Sequence, residues 1–527
     1  MENKNYEESK GIRLLHRGRS GFLSIIFSRA GLIALLLIIQ FGVLAAIMYT
    51  FETEFVGYYG GALVVSLFMV LYLLNTPSAE TTKITWIIIV MVLPVFGTLL
   101  YVYTKLDVGH RAQRARVDQV MRETSKILSE NKEVISELES VDEGVASLAR
   151  YINRNGCHPV YKNTDVTYFP IGEAKFEEML RQLELAEKYI YAEYFIVDEG
   201  FMWGRVLEVL AKKAAEGVDV RVMYDGTCEL SVLPIDYPQR LKKLGIKCKA
   251  FSRVTPFVST HYNYRDHRKI LVIDGKVAFN GGINMADEYI NRKVRFGHWK
   301  DTAVMLRGEA VRSFTLMFLQ MWNLSEKNGD YSHVTENVAH GEVKANGFVI
   351  PYGDCPLDGD RLGERVYMDM LNRATKYANI MSPYLILDGE METAIKFAAE
   401  RGVEVSLILP GIPDKKVPYA LAKTHYKSLV ASGVKIYEYT PGFVHAKVFE
   451  CDGREAVVGT INLDYRSFYH HFECATYIYG NDAIKDIEED FCSTVKKCRR
   501  VTKETIKKEK FLYKLTGYLV KAFSPLL

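Results

Sequence analysis

The sequence predicts an α/β protein of two similar lobes with pseudo-twofold symmetry, preceded by an N-terminal α-helical membrane region. Three observations carry that expectation. One spaced constellation occurs twice, as HRKILVIDGKVAFNGGIN over 267–284 and as HAKVFECDGREAVVGTIN over 445–462. The same order of apolar strands and amphipathic helices surrounds each copy. Three uncharged apolar runs lie ahead of both.

Residues 1–30 form a polar, basic arm carrying Lys4, Lys10, Arg13, Arg17, Arg19 and Arg29. Residues 31–105 read as a transmembrane region of two or three spans, with apolar runs at 31–50, 56–75 and 84–104. A run of about 20 residues at ~1.5 Å each matches a hydrocarbon core of ~30 Å. Trp86, Tyr101 and Tyr103 stand where an aromatic belt is expected, and Pro94 is placed to kink the last run. Basic residues flank both ends, the later set being Lys105, Arg111, Arg114, Arg116 and Arg122. An odd number of spans cannot keep both flanks on one side, so either one run is re-entrant or interfacial, or the positive-inside rule fails at one end. A cytoplasmic catalytic part is expected.

Residues 106–157 read as a helical connector, with Val117, Val120, Met121, Ile127 and Leu128 at helical spacing. Strands and helices then alternate through a first lobe (158–340) and again through a second (341–500). The interval between the two signatures is the size of a domain, which favours duplicated lobes meeting at a cleft over a solenoid. In the segment 501–527, Phe511, Leu515, Tyr518 and Ala522 share a helical stripe. That stripe suits an interfacial helix at an anionic bilayer or packing against the protein itself.

Within each signature the histidine and lysine are two apart on a strand, so both side chains project from one face. An Asp-Gly pair follows as a hairpin-turn signal. The aspartate has the opposite parity to the histidine, which favours a turn role, yet it completes the signature set. The catalytic candidates are therefore His267, Lys269, Asp274, His445, Lys447 and Asp452. Small residues close each copy before Asn284 and Asn462, whose amides can donate to phosphate oxygens. Two sets face to face supply a nucleophile, a leaving-group acid and two cations around one phosphodiester, with no evident need for a metal. Asp301 and Glu473, each opening a late strand of its lobe, are candidates to orient the histidines. Arg265 and Arg268 are candidates for a second phosphate, and Tyr194 and Tyr384 for the cleft wall. His470 and His471 read as surface residues, since no metal-site spacing surrounds them.

Composition narrows the class. With 527 residues, 48% of them hydrophobic, and a formal net charge of +3, the chain is nearly balanced, which argues against a dedicated nucleic-acid binder. Its eight cysteines are scattered without paired spacing and read as reduced thiols.

The phrases KITWIIIVMVLPVFGTLLY, EYFIVDEG, NYRDHRKILVIDG, GHWKDTAVMLRG, ASGVKIYEYTPGFVHAKV and TINLDYRSF, with the final SPLL, resemble bacterial cardiolipin synthases of the phospholipase D superfamily. The resemblance implies two phospholipase D-like lobes, no cofactor, and a multi-pass protein of the bacterial cell membrane. It also implies phosphatidylglycerol as substrate and cardiolipin as product. One phosphatidylglycerol gives its phosphatidyl group to another and glycerol is released through a phosphohistidine. By that analogy His267 is the nucleophile and His445 the acid and base, or the reverse, while Lys269, Lys447, Asn284 and Asn462 hold phosphate oxygens. A phospholipase D or a phosphatidylserine synthase on the same scaffold is the alternative, and an inactive membrane scaffold a distant one. Two departures from the relatives stand out: three apolar runs in place of two, and His471 where asparagine is common.

Overall fold

The computed structural model describes residues 11–14, 38, 42, 46, 49–50, 59–76, 80–106, 108–253, 263–336, 338–340, 343 and 345–524. The first lobe supplies β1 (Thr164–Phe169), β2 (Tyr189–Tyr194), β3 (Asp219–Asp225), β4 (Lys247–Phe251), β5 (Arg265–Asp266), β6 (Lys269–Ile273), β7 (Val277–Gly281), β8 (His298–Lys300) and β9 (Ala303–Gly308). The second supplies β10 (Phe348–Asp354), β11 (Tyr377–Met381), β12 (Glu404–Pro410), β13 (Lys435–Tyr439), β14 (Gly442–Val444), β15 (Val448–Cys451), β16 (Glu455–Gly459), β17 (His471–Tyr479) and β18 (Cys498–Arg500).

The two sheets share one topology. The first runs β1-β9-β7-β6-β2-β3-β4, and the second runs β10-β17-β16-β15-β11-β12-β13 before β18 adds an edge. In each lobe two parallel strands are joined by a crossover helix, Phe201–Ala215 between β2 and β3 and Gly389–Glu400 between β11 and β12. Parallel neighbours require such a connection, and each helix buries an apolar face on its sheet, through Met202, Val206 and Leu210 or through Met391, Ile395 and Ala398. The signature hairpins, β6 to β7 and β15 to β16, turn on two successive left-handed residues, Asp274-Gly275 (φ 53 and 66) and Asp452-Gly453 (φ 57 and 64). With Ile273 opposite Val277 and Cys451 opposite Glu455, three residues span each turn, and the left-handed pair lets the chain reverse within them.

The lobes are not independent. Ile270, Val304 and Phe318 of the first lobe pack in one apolar cluster with Val448, Val458 and Ile478 of the second. Two short ladders also cross between them: β5 pairs with β17, and β8 with β14, both in parallel.

The helical connector is present as Val108–Thr124, Lys132–Val141 and Glu143–Gly156, with Asn131 and Asp142 capping the last two. The apolar runs ahead of it correct one expectation. Among the described residues no helix is long and apolar enough to cross a membrane. The second run contributes the 16-residue helix Tyr59–Leu74. The third breaks in the middle, giving Glu80–Val92 and Pro94–Leu106, each of 13 residues. Proline lacks the N–H that would continue the first helix and is at home in the first position of the next. Gly97 lets the chain fold back, because a Cβ there would lie 2.8 Å from the Ile89 carbonyl oxygen. The rings of Trp86 and Tyr101 do not form a belt but pack edge to face at 5.1 Å, in a cluster with Met69, Leu73 and Val90. The side chain of Tyr103, the arm at 1–30 apart from residues 11–14, and the run at 31–50 apart from isolated positions lie outside the described residues. Leu67, Phe68, Met91 and Val92 are exposed on the outside of these helices.

The helix Phe511–Lys521 docks on Lys416–Ala431 through Gly517, where a Cβ would lie 2.5 Å from the Ala420 carbonyl oxygen. Phe511, Leu515 and Tyr518 remain exposed, so docking uses a different face from the apolar stripe. Thr85 donates to the Ala522 carbonyl at 2.9 Å and Tyr465 donates to Thr81 at 2.7 Å, which ties the apolar helices to this tail and to the second lobe just past Asn462. All eight cysteines are free thiols.

Candidate active site

The ladders between lobes build the site. In β5, Arg265 stands opposite His471 and Asp266 opposite Phe472, and the next amide, that of His267, donates to the Phe472 carbonyl at 2.9 Å. One residue on in β17 is Glu473. The His267 Nδ1 consequently lies 2.9 Å from each Glu473 carboxylate oxygen. The other half repeats this. Val444 of β14 stands opposite Lys300, the His445 amide donates to the Lys300 carbonyl at 2.7 Å, and His445 Nδ1 lies 2.7 Å from Asp301 Oδ2. Each acid therefore orients the histidine of the opposite lobe.

Where the acid is ionised it accepts, which puts the proton on Nδ1 and leaves the lone pair on Nε2; in the His445 pair Lys447 Nζ also lies 3.0 Å from Nδ1. Burial sets the protonation state. It drives His267 well below the usual imidazole value, helped next by the charge of Lys269 and then by His471 and Lys447. His445 is lowered to about 4 by burial and then by Lys447, while Asp301 pulls it back up. Burial also raises Glu473 well above the carboxylate range, against the pull of Lys269. Lys269 and Lys447 are lowered by burial to about 8 and about 7, each drawn back up by acids of the site. Burial thus favours neutral imidazoles near pH 7, beside two lysines whose charge is lost between about 7 and about 8.

The lysine ammoniums fold back toward the backbone, Lys269 donating to the His267 carbonyl at 2.5 Å and Lys447 to the His445 carbonyl. Asn284 is committed within the protein: its Oδ1 accepts from the Ile196 amide at 3.0 Å and its Nδ2 donates to the Tyr289 hydroxyl at 2.8 Å. Asn462 is buried, and its Oδ1 has no hydrogen-bond partner among the described residues. The aspartates of the signature stay out of the reacting centre. Asp274 accepts from the amides of Glu187, Lys188 and Tyr189 at 2.8, 2.7 and 2.9 Å, and Asp452 accepts from Thr375, Lys376 and Tyr377 at 2.8, 2.8 and 2.9 Å. Each ties the hairpin to the start of the neighbouring strand, the role its parity favoured.

The arginines are corrected as well. Arg265 donates to the Ser252 carbonyl at 2.7 Å and Arg268 to Glu193 at 2.7 Å, both buried, so each guanidinium faces a structural partner. Tyr194 is buried with its hydroxyl 3.3 Å from Lys175 Nζ, and the Tyr384 hydroxyl donates to Asp414 at 2.6 Å.

With this geometry in place, the comparisons with known proteins decide the family. The profile described as cardiolipin synthase, PLD-like domain, matches residues 179–322 and again 367–495. The chain belongs to the cardiolipin synthase family of phospholipase D-like proteins. It is accordingly a phosphatidyltransferase of the phospholipase D type. A second profile, phospholipase D-nuclease N-terminal, matches residues 62–103. A cardiolipin synthase of Geobacillus kaustophilus is 32% identical over 94% of this chain and 99% of that protein. An uncharacterized protein of Streptococcus mutans is 57% identical over 87% of this chain and 99% of its own length. The crystal structure of phosphatidylserine synthase from Haemophilus influenzae superposes with a TM-score of 0.55, covering 73% of this chain and all of that one at 14% identity, which speaks to the fold alone.

This member of the cardiolipin synthase family also carries site residues that the sequence reading missed. Thr460 and Ser467 both donate to Glu473, the latter at 2.8 Å, and so hold the acid that holds His267. Phe195 meets His267 edge to face at 5.0 Å, and Tyr289 and Trp299 pack against His445 with centroids 5.4 Å away. His471 is the clearest correction. It is not a surface residue but 7% exposed, with its ring 5.1 Å from that of His267. Among the described residues, His267, His471 and Glu473 form a group whose ligand atoms all lie within 4.8 Å of one another, a spacing that could hold a metal ion. Strand parity carries the signal: residues 471 and 473 of β17 face the same way.

Proposed function

We propose that the protein makes cardiolipin, moving a phosphatidyl group from one phosphatidylglycerol to another and releasing glycerol. His267 Nε2 attacks the phosphorus of the first lipid. The bond from phosphorus to the glycerol oxygen breaks, and His445, which takes up a proton from solvent at Nε2 as the phosphodiester anion enters between the lysines, gives that proton to the oxygen. His445 then takes the proton of a hydroxyl on the second phosphatidylglycerol, whose oxygen displaces the imidazole and forms cardiolipin. Lys269 and Lys447 offset charge on the phosphoryl oxygens.

The observation that carries this reading is the exchange of acids between lobes, which fixes two neutral imidazoles through Nδ1 in one buried centre. The assignment of roles follows from their electrostatics. Nothing prominent raises His267, which favours a neutral nucleophile, whereas Asp301 supports a proton on His445. A phosphodiester anion arriving between the lysines offsets their charge and raises His445 further, toward an acid. Burial also favours capture of the phosphohistidine by a lipid hydroxyl over water.

The substrates are membrane phospholipids, and the exposed apolar residues of Tyr59–Leu74, of Glu80–Val92 and of the C-terminal stripe are suited to hold the cleft at headgroup depth. We take the broken third run as a hairpin that enters and leaves one face of the bilayer.

The test is incubation of detergent-solubilised protein with phosphatidylglycerol and EDTA. The expected products are cardiolipin and free glycerol, and His267→Ala and His445→Ala each abolish them. Phosphatidic acid alone identifies a hydrolase, and no turnover overturns the proposal.

A further inference from the structure

We propose that His267, His471 and Glu473 form a zinc-binding site whose occupancy switches off the transfer chemistry. The binding claim stands on geometry by itself; the switching claim rests on the function proposed above.

His471 is the reason to look. It sits at the start of β17, 7% exposed, and neither ring nitrogen has a hydrogen-bond partner among the described residues. Buried polar groups are nearly always hydrogen-bonded, and a histidine with no hydrogen bond at either nitrogen, beside an acid and a second imidazole, has the make-up of a metal ligand. The distances fit. Glu473 Oε1 lies 2.9 Å from His267 Nδ1 and 3.5 Å from His471 Nδ1, and all three ligand atoms fall within 4.8 Å. Metal bonds of ~2.0–2.1 Å to nitrogen and oxygen in a tetrahedron put ligand atoms ~3.3 Å apart.

The donor set selects the ion. Two imidazoles and one carboxylate suit zinc, whereas magnesium and calcium take oxygen ligands. Thr460 and Ser467, donating to Glu473, supply the outer hydrogen bonds that orient a ligating carboxylate.

Binding has a definite consequence. The proton between His267 Nδ1 and Glu473 leaves to solvent, and zinc takes its place, bonded to Nδ1, to the carboxylate and to His471. Glu473 no longer orients a neutral imidazole with its lone pair on Nε2, and a dication sits beside the nucleophile. The first lobe's histidine is then out of service while the His445–Asp301 half is untouched. Sequence makes this specific to one half: two residues before Asp301 stands Trp299, which packs against His445 and offers no ligand atom.

The test uses full-length, detergent-solubilised protein stripped of metal and titrated with zinc against a chromogenic chelator. One zinc per chain is expected. His471→Asn lowers the affinity roughly tenfold or more, whereas His471→Cys, which restores a ligand, keeps it; unfolding midpoints guard against misfolding. In the phosphatidylglycerol assay zinc inhibits the wild type, EDTA reverses it, and His471→Asn resists it. No stoichiometric zinc, or equal affinity in wild type and His471→Asn, overturns the site; zinc bound without inhibition overturns the switch. If metal-free protein turns nothing over, the proposed function fails, and the titration still decides the site.

Discussion

Replacing Gly282 by alanine tests whether Asp301 must be held where it is. The new Cβ would lie 2.1 Å from Asp301 Oδ1 and 3.0 Å from the His445 carbonyl oxygen. Ordinary contact needs ~3.5 Å, so the carboxylate oxygen must retreat by roughly 1.4 Å. That breaks the 2.7 Å bond to His445 Nδ1. A hydrogen bond to a charged group contributes ~1.5–3 kcal/mol, and at ~1.4 kcal/mol per factor of ten the transfer rate falls by about 10- to 150-fold. The assay is the initial rate of cardiolipin formation, normalised to folded protein and measured well below the unfolding midpoint. A phosphatidyl ester of p-nitrophenol sharpens it, because that leaving group departs without a proton and the burst of p-nitrophenol should largely recover. A transfer rate within twofold of wild type, or an equal loss with both leaving groups, refutes the role assigned to Asp301 and His445.

Other perturbations separate structure from chemistry. Asp274→Ala leaves three backbone amides without their acceptor, and the unfolding midpoint should fall by an amount equivalent to ~1–3 kcal/mol while the rate per folded molecule is unchanged; a selective loss of rate contradicts the turn assignment. Arg268→Ala strips Glu193 and Asp266 of their buried cation, and denaturant unfolding should show a loss of ~3–5 kcal/mol; an unchanged midpoint denies the guanidinium a structural role. The pH profile of kcat/KM should fall on the alkaline side, between about 7 and about 8, as Lys447 and then Lys269 lose their protons; a level profile well beyond that range removes the ammoniums from phosphate stabilisation.

Much of this molecule is legible in its sequence, because the informative signals are local. Period-two alternation and the Asp-Gly pairs report strands and turns directly, and the duplicated offsets report the matching sheets. The strand-opening positions of Asp301 and Glu473 also marked them as acids to look for beside a signature histidine, and each lies within hydrogen-bond distance of one. Their exchange between lobes was not visible, since it depends on β5 meeting β17 and β8 meeting β14, pairings that no local pattern encodes. His471 was misread for a different reason. Judged by metal-site spacing it looks isolated, but its parity with Glu473 places both on one face of β17. The third apolar run shows the limit of counting residues: its length matches a span, and Pro94 with Gly97 folds it in two.

Mass spectrometry of acid-sensitive adducts tests the central claim most directly. Protein mixed with phosphatidylglycerol is quenched at alkaline pH, digested, and searched for a phosphatidyl group on histidine. The expected adduct lies on the peptide containing His267 and is absent from His267→Asn. An adduct on His445, or transfer that proceeds with neither histidine modified, contradicts the account.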